Sequence, residues 1–494
     1  MLSRNRVYIF FLPAALAVFF FSLHRIFRSK LESPDVRLLA DIAAAAVSGA
    51  RELDLSNRGI HALPPEIGSL VALEKLNLAN NPLSSLPDEL SSCVNLRTLF
   101  FLGNAFTEIP LVVGRLPHLR MLSFKSNKLV RIAERALAPS LEWLILTDNA
   151  LTALPASLGR LRHLRKLMLA SNRLEALPDF SGLESLELVR LSDNLLRAVP
   201  ADVFALPRLA WLALAGNELA PLRRGDVAAA LAAAPHKLDF ARLHLGAVLG
   251  EGASGVVHVA GLDGSTVTGP CGGRPGEVAV KIFKAASSDG RPVDEVAVAA
   301  KIPPHDALIN LIGFVNEGEN GRLATVLEFC ESLLVLGKPP SFDTVTRDVF
   351  GAPPPVLSVT QAAWIARDVA AACAHLHAAG VMHGDVYAHN VMVDAALVKG
   401  NGGAIVRPTV KLGDLGAAFF YDRSGPNAAA IERVEMRGYA CFIDDLLGLV
   451  AGDDSKQLGR AMRAIAAECG IGGNDPAGRP TFRVVVDNFD RLLS

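Results

Sequence analysis

Two short motifs in the C-terminal half carry polar side chains suited to phosphoryl transfer. Asn390 follows Asp385 by five residues in a His-x-Asp-x-x-x-x-Asn pattern, and Asp414 lies downstream in Leu-Gly-Asp-Leu-Gly. Phosphoryl transfer passes through a loose transition state, so its catalysis is mainly positioning and charge neutralisation. Asp385 is the candidate base that orients an acceptor hydroxyl, and Asn390 and Asp414 are candidate ligands of Mg²⁺ ions. Any one of these residues could be a turn or cap residue; the order and spacing of the whole set indicate the chemistry.

A glycine-rich stretch upstream could cover the phosphates of a nucleotide. Gly250, Gly252 and Gly255 form a GxGxxG pattern, in which the backbone can approach phosphate oxygens without side-chain obstruction. A dinucleotide-binding site would require a helix directly after this pattern. Here residues 256–260 read as a strand instead, which favours a hairpin over the phosphates.

A lysine and a glutamate follow at suitable distances along the chain. Lys281 ends the run Val-Ala-Val-Lys in a predicted strand, where it could contact the α- and β-phosphates. Glu295 lies on a predicted helix and could pair with Lys281. The alternative without a functional role is that Lys281 is a solvated residue at a strand end and that Glu295 is an exposed residue of the helix.

The order of these motifs resembles the eukaryotic-type protein kinase domain over residues 238–494. The loop His-Gly-Asp-Val-Tyr-Ala-His-Asn at 383–390 is similar to the HGDLYAHN loop of a leucine-rich-repeat kinase subgroup, and Asp-Pro-Ala-Gly-Arg-Pro-Thr-Phe at 475–482 resembles the end of the kinase C-lobe. The resemblance implies an α+β bilobal fold, binding of ATP with Mg²⁺ or Mn²⁺, and a protein substrate.

The resemblance also implies a nucleotide-binding set. Leu327 would be the gatekeeper, and the backbone groups of Glu328 and Cys330 would bind adenine. The full implied set is Leu249, Gly250, Gly252, Gly255, Val257, Ala279, Lys281, Leu327, Glu328, Cys330 and Met392.

The sequence departs from the kinase pattern around the catalytic loop. Gly384 replaces the arginine before Asp385, and Tyr387 replaces the lysine that usually contacts the γ-phosphate. His389 could supply that cation or serve a structural role. These departures leave two hypotheses open, an active protein kinase that prefers Ser/Thr over Tyr and a nucleotide-binding pseudokinase that acts as a scaffold.

The segment after Asp414 is also unusual. It lacks an Ala-Pro-Glu motif, and Glu435 resembles the start of the next long helix. Arg479 therefore needs a partner other than the usual glutamate, either Glu432 or Glu435, or else remains solvated. Tyr421 and Ser424 are candidate self-modification sites.

An internal repeat occupies residues 51–222. An asparagine recurs every 22 or 23 residues within LxxLxLxxN patterns, and about eight copies are present. The recurring residues are Asn81, Asn104, Asn127, Asn149, Asn172, Asn194 and Asn217. The segment resembles the leucine-rich repeats and predicts an α/β solenoid, in which the leucines point inward and the asparagines bind backbone groups.

Residues between the inward leucines point out of the concave sheet in this register. Five apolar ones form a patch that predicts a protein or peptide ligand. They are Phe100, Met121, Trp143, Ile145 and Met168. The alternative is that the C-terminal module or the N-terminal helix of the same chain covers the patch.

Composition restricts the compartment and the partners. The 49 basic and 50 acidic residues nearly balance, which argues against nucleic-acid binding. Six scattered cysteines indicate a reducing compartment. Residues 7–23 are uncharged with basic flanks, which favours an uncleaved anchor over a signal peptide or a misassigned start. No second apolar run separates the repeats from the kinase-like module, so a receptor with external repeats is excluded and a cytosolic location is expected.

The predicted organisation has five parts. They are a hydrophobic N-terminal segment (1–30), a linker or cap (31–50), the repeats (51–222), a linker (223–237) and the kinase-like domain (238–494).

Overall fold

The structure is a computed structural model that describes residues 34–219, 221–252, 254–265, 274–284, 290–316, 323–400, 405–451, 457–471 and 475–494. The apolar stretch at residues 7–23, with its predicted role as an anchor, lies outside the described residues. Over the described ranges, no helix has both the length and the apolarity needed to cross a membrane.

Each repeat contributes one short strand to an eight-stranded parallel sheet whose order follows the sequence. Helix α1 (Pro34–Ser48) precedes the sheet and buries Leu38 and Ile42 against its end. The strands are β1 (Glu52–Asp54), β2 (Lys75–Asn77), β3 (Thr98–Phe100), β4 (Met121–Ser123), β5 (Trp143–Ile145), β6 (Lys166–Met168), β7 (Leu188–Arg190) and β8 (Trp211–Ala213). Short helices on the convex side include α2 (Ala201–Phe204), and α3 (Val227–Ala232) follows the last repeat. The predicted α/β solenoid is confirmed, and we call it the repeat module.

The repeating asparagines satisfy backbone groups that the solenoid buries. Asn194 is fully buried; its Nδ2 donates to Leu169 O at 3.0 Å and Leu191 O at 2.9 Å, and its Oδ1 accepts from Leu174 N at 3.0 Å. The other six asparagines bind backbone groups of neighbouring repeats in a similar way. Unpaired backbone groups in a core are costly, which explains why the asparagine recurs.

The C-terminal module begins with a five-stranded antiparallel sheet. Its strands are β9 (Leu243–Glu251), β10 (Gly255–Leu262), β11 (Glu277–Phe283), β12 (Leu311–Val315) and β13 (Ala324–Glu328), and their order in the sheet is β12-β13-β11-β10-β9. Helix α4 (Pro292–Ala299) packs against α3. This sheet and helix form the small lobe.

The large lobe is mainly helical. Its helices are α5 (Val359–Ala378), α6 (Ala395–Val398), α7 (Ala428–Gly448), α8 (Gln457–Glu468) and α9 (Phe482–Leu493). Its short strands are β14 (Leu333–Val335), β15 (Val381–Met382), β16 (Val391–Asp394), β17 (Val410–Leu412) and β18 (Phe419–Phe420). Helix α5 begins in a capping box between Ser358 and Gln361, and its buried alanines allow α7 and α9 to pack closely. The predicted bilobal α+β fold is confirmed.

The concave face of the repeat module lies against the large lobe. Two residues between β14 and α5 cover the apolar patch that the sequence predicts to be exposed. The ring of Phe342 contacts those of Phe100 and Trp143, with centroids 5.7 Å apart in both cases, and Val345 is buried in a cluster with Met121 and Trp143. The prediction of an external ligand at Phe100, Met121, Trp143, Ile145 and Met168 is therefore corrected in favour of the alternative, because the chain's own C-terminal module buries Met121 and Trp143 and partly covers the other three.

Candidate active site

The nucleotide side of the site is built around Lys281 on β11. Its Nζ lies 2.6 Å from Glu295 Oε1 on α4 and 3.3 Å from Asp414 Oδ1. Burial opposes protonation of Lys281, but the carboxylates of Glu295 and Asp414 outweigh it and raise its pKa. Lys281 is therefore a permanent cation placed between two anions.

Asp414 follows β17 with a φ of 54°, and its Oδ1 meets Lys281 Nζ of the small lobe across the cleft between the lobes. Almost half of the side chain (49%) is exposed. Enclosure by the protein favours the neutral acid, yet Lys281 and the backbone N–H of Gly416 hold the pKa of Asp414 below its usual value. Asp414 thus presents an ionised carboxylate to the cleft.

The glycine-rich hairpin lies at the edge of the small lobe. Gly250 and Val257 are register partners across β9 and β10, and Leu249 beside them is 49% exposed. Gly255 packs so closely on β11 that a Cβ would lie 2.5 Å from Ile282 O. Gly252 donates to Gly255 O at 2.9 Å and closes the turn.

The residues implied for adenine binding line the inner side of the same sheet. Leu327 is the register partner of Ala279, two residues before Lys281, so these side chains share one face. Cys330 is buried, with Met392 of the large lobe packed against its cluster. The Glu328 side chain points away from this face, with its Oε1 2.5 Å from Lys411 Nζ, which leaves only the backbone of Glu328 for a ligand.

The catalytic loop connects β15 to β16. Asn390 Nδ2 donates to Asp385 O at 2.8 Å and Asp385 Oδ2 at 3.1 Å, and Gly413 N donates to Asn390 O at 2.9 Å. His383 Nε2 lies 3.0 Å from Gly413 O, which ties the loop to the segment that carries Asp414. The fold therefore brings Asp385, Asn390 and Asp414 into one cluster.

Glu435 supports the loop from below. Its Oε1 accepts from Gly384 N at 2.5 Å, and its Oε2 lies 2.7 Å from His377 Nε2. Burial alone would raise the pKa of Glu435, but His377, His383 and the Gly384 N–H keep it low. Glu435 lies in the middle of α7 rather than at its start, because the helix begins seven residues earlier, at Ala428. The sequence-based helix boundary is corrected accordingly.

His389 is held beneath the loop. Its Nδ1 lies 2.7 Å from Asp348 Oδ1, and its backbone N donates to Asp348 Oδ2 at 2.9 Å. Burial disfavours the imidazolium, but Asp348 more than compensates and raises the pKa of His389. This geometry supports the structural alternative for His389.

Arg479 has neither of the carboxylate partners considered from the sequence. It is 3% exposed and donates to Arg433 O and Pro207 O, both at 2.9 Å. Pro207 belongs to the repeat module, so this arginine joins the two modules. Tyr421 is also buried, and its hydroxyl donates to Glu432 Oε1 at 2.6 Å, whereas Ser424 is exposed.

Sequence reasoning missed two residues of the repeat module that contact the catalytic loop. Arg190 forms an ion pair with Asp385 Oδ1 and donates to Gly384 O at 3.3 Å. Trp211 Nε1 donates to Val386 O at 3.2 Å. The repeat register places both side chains on the concave face, but nothing in that register identifies which surface they contact.

Known families match both modules. Residues 243–430 match the family model described as protein tyrosine and serine/threonine kinase. Residues 139–196 and 162–219, and separately 72–93, match leucine-rich-repeat models. A search of the curated proteins found no match.

A solved leucine-rich-repeat protein of Leptospira interrogans is 33% identical over 37% of this chain, with a TM-score of 0.32. The match covers 54% of that protein, so this chain spans about half of its length. The family models and the geometry of the two modules carry the assignment. The chain contains a protein kinase domain with leucine-rich repeats N-terminal to it, which is the organisation of the leucine-rich-repeat protein kinases.

Proposed function

We propose that the protein transfers the γ-phosphoryl group of ATP to a Ser or Thr hydroxyl of a protein substrate. The observation that carries this proposal is the contact of Lys281 Nζ with Glu295 at 2.6 Å and with Asp414 at 3.3 Å. A kinase requires the phosphate-contacting lysine of its small-lobe sheet to pair with the glutamate of the following helix, and its metal-binding aspartate to lie nearby. All three elements are assembled here.

Each of the motif residues is assigned a role in nucleotide binding or in catalysis. Gly250, Gly252 and Gly255 cover the phosphates, and Lys281, oriented by Glu295, contacts the α- and β-phosphates. Asp385 accepts the proton of the acceptor hydroxyl and directs its oxygen at the γ-phosphorus.

The donor set fits a hard divalent cation. Asn390 and Asp414 offer amide and carboxylate oxygens, which are the ligands that Mg²⁺ prefers and Mn²⁺ accepts. The metal, when bound, neutralises charge that develops on the phosphates. The low pKa of Asp414 keeps its carboxylate ionised and available for this role.

The test is incorporation of labelled phosphate from ATP by the full chain, with Mg²⁺ or Mn²⁺ and generic protein acceptors. Asp385→Asn serves as the matched control, since it preserves the shape of the side chain and removes its charge. Incorporation that disappears in the variant supports the proposal, and acid hydrolysis of the product identifies the acceptor residue. Phosphotyrosine as the sole product would overturn the Ser/Thr assignment.

A second candidate function is a nucleotide-binding pseudokinase that acts as a scaffold. The repeat module covers the catalytic loop, and Asp385 is engaged by Arg190. In that case ATP would raise the melting temperature, and no phosphate would be transferred. The repeats would then serve chiefly to recruit partners through surfaces outside the contact with the kinase domain.

We further propose a cytosolic location, with residues 7–23 as an optional membrane anchor. Five cysteines in the described ranges are buried thiols, in keeping with a reducing compartment. Fractionation of cells that express the full chain, beside a chain that lacks residues 1–30, tests both parts of this proposal. Recovery of both proteins in the secreted fraction would exclude it.

A further inference from the structure

The catalytic loop lacks two cations of the kinase pattern, at Gly384 and Tyr387, and the repeat module brings one cation, Arg190, into contact with the same loop. Arg190, the last residue of β7, forms an ion pair with Asp385 Oδ1. We propose that Arg190 is a positioning residue for Asp385, so that the repeat module completes the active site of the kinase. This inference rests on the function proposed above.

The geometry suits orientation of the carboxylate. Arg190 holds Asp385 Oδ1 while Asn390 Nδ2 binds Oδ2 at 3.1 Å, so both oxygens of the side chain are restrained. The guanidinium also donates to Gly384 O at 3.3 Å. A planar guanidinium that bonds a carboxylate and an adjacent carbonyl holds both in fixed directions.

Burial makes this contact more than a surface ion pair. The side chain of Arg190 is 4% exposed, and that of Asp385 is 16% exposed. Exposed pairs contribute little, whereas loss of one partner from a buried pair leaves a charge that the interior cannot solvate. The position of the Asp385 carboxylate therefore depends on Arg190.

The two residues that depart from the kinase pattern, Gly384 and Tyr387, both contact the repeat module. Gly384 has a φ of 74°, and a Cβ there would collide with Leu212 O. Tyr387 lies flat against Trp211. A side chain at position 384 would clash with Leu212 O, so the loop, which lacks its own cation, has the shape that admits the repeat module and Arg190.

The docked arrangement also keeps the nucleotide side assembled. Just before α4, a Cβ at Gly290 would lie 2.8 Å from Ser192 Cβ of the repeat module, and Arg291 Nε lies 3.7 Å from Asp193 Oδ1. The same helix carries Glu295, which remains paired with Lys281. A contact that served only to switch the kinase off would not be expected to hold this pair together, which favours a positioning role over an inhibitory one.

Steady-state phosphorylation by the full chain tests the inference. For Arg190→Met we expect kcat to fall by about ten- to a hundredfold, because a misplaced base costs rate rather than nucleotide affinity. The KM for ATP should stay within about twofold, since Lys281, Glu295 and Asp414 are untouched. Arg190→Lys should recover part of kcat, because an ammonium retains the charge without the planar fork.

Arg165→Met is the matched control. Arg165 lies one repeat away in the same contact between modules, where it bonds Glu187 and Thr346 at 3.0 Å and does not contact the catalytic loop. Its kcat should stay near that of the parent. Melting with and without ATP and Mg²⁺ shows which variants fold, and Arg190→Gln replaces Arg190→Met if the latter does not.

Four results would overturn the inference. An unchanged kcat in Arg190→Met would remove the positioning role, and a raised kcat would show that Arg190 inhibits. Equal losses in Arg165→Met and Arg190→Met would show that only docking matters. If the parent chain and Asp385→Asn both transfer no phosphate, the proposed function is wrong, and this inference, which depends on it, is wrong as well.

Discussion

The indole of Trp211, in the last strand of the repeat sheet, stacks on the phenol of Tyr387 in the catalytic loop. The ring centroids are 4.4 Å apart, and the planes differ by 6°. Trp211 is 1% exposed and Tyr387 is 3% exposed. A residue of the repeat module thus packs directly against the catalytic loop. Because two large rings are buried, this contact contributes strongly to the association of the two modules.

Removal of this ring should loosen the docked arrangement. Trp211→Ala should lower the free energy of unfolding by about 3–5 kcal/mol, because it leaves a large cavity and exposes Tyr387. Denaturant titration of the full chain measures the loss. Trp364→Ala is the control, since Trp364 is only partly buried and its face contacts Arg407 at 4.3 Å. Equal losses in the two variants would contradict a special role for Trp211.

The glycine before the catalytic aspartate should be intolerant of any side chain. Gly384 and Gly400 have similar positive φ values of 74° and 77°, but a Cβ at Gly400 meets nothing within 4 Å. Alanine at either position costs about 1–2 kcal/mol of backbone strain. Gly384→Ala should cost a further ~1–3 kcal/mol, because its Cβ collides with Leu212 O and lies 2.9 Å from Ala417 O. Thermal melting of the two variants compares them, and equal shifts would refute a steric role for the repeat module.

Nucleotide alignment should depend on the pair in the small lobe. Lys281→Met should reduce kcat/KM by at least about a hundredfold, because it removes the cation that contacts the phosphates. Glu295→Gln should have a smaller effect, since Lys281 retains Asp414 as a partner at 3.3 Å. Lys399→Met, at an exposed position beyond α6, is the control. Steady-state kinetics with varied ATP distinguishes these variants, and an active Lys281→Met would argue against the assigned role.

Stability should vary with pH through the pair beneath the loop. Asp348 raises the pKa of His389 in the folded protein. The pair therefore makes its whole contribution to stability at pH values below the usual histidine pKa of about 6.5. That contribution is lost as pH rises through the higher folded value. The difference in unfolding free energy between the parent and His389→Gln should therefore be larger at pH 6 than at pH 8.5. A difference that is equal at both pH values, or larger at pH 8.5, would show that His389 stays neutral.

Much of the repeat module is readable from sequence because its signals are local and periodic. One asparagine in every 22 or 23 residues meets the same backbone groups in each turn, so the strand positions and the buried leucines follow from the repeat alone. The motifs around Lys281, Asp385 and Asp414 are short and ordered along the chain for a similar reason. Each depends on backbone geometry that the neighbouring residues themselves determine.

The helix that contains Glu435 shows where local signals fail. The resemblance suggested that the helix begins at Glu435, whereas α7 begins at Ala428. Alanines at 428–430 extend it because they favour helix, and Glu435 is then aligned with Gly384 and His377 inside the large lobe. The partners of Arg479 could not be predicted from the sequence either, since they are backbone carbonyl oxygens and no sequence pattern identifies them.

The amino-acid sequence by itself determined the two modules, their order, and the set of residues that phosphoryl transfer would use. Only the tertiary structure decided what the concave face binds, because Arg190 and Asp385 lie 195 residues apart and meet through the shapes of two folded surfaces. Repeat periodicity specifies which side chains point outward and carries no information about the surface opposite them. The docked repeat sheet meets two parts of the large lobe: the apolar patch contacts Phe342 and Val345, and Arg190 and Trp211 contact the catalytic loop.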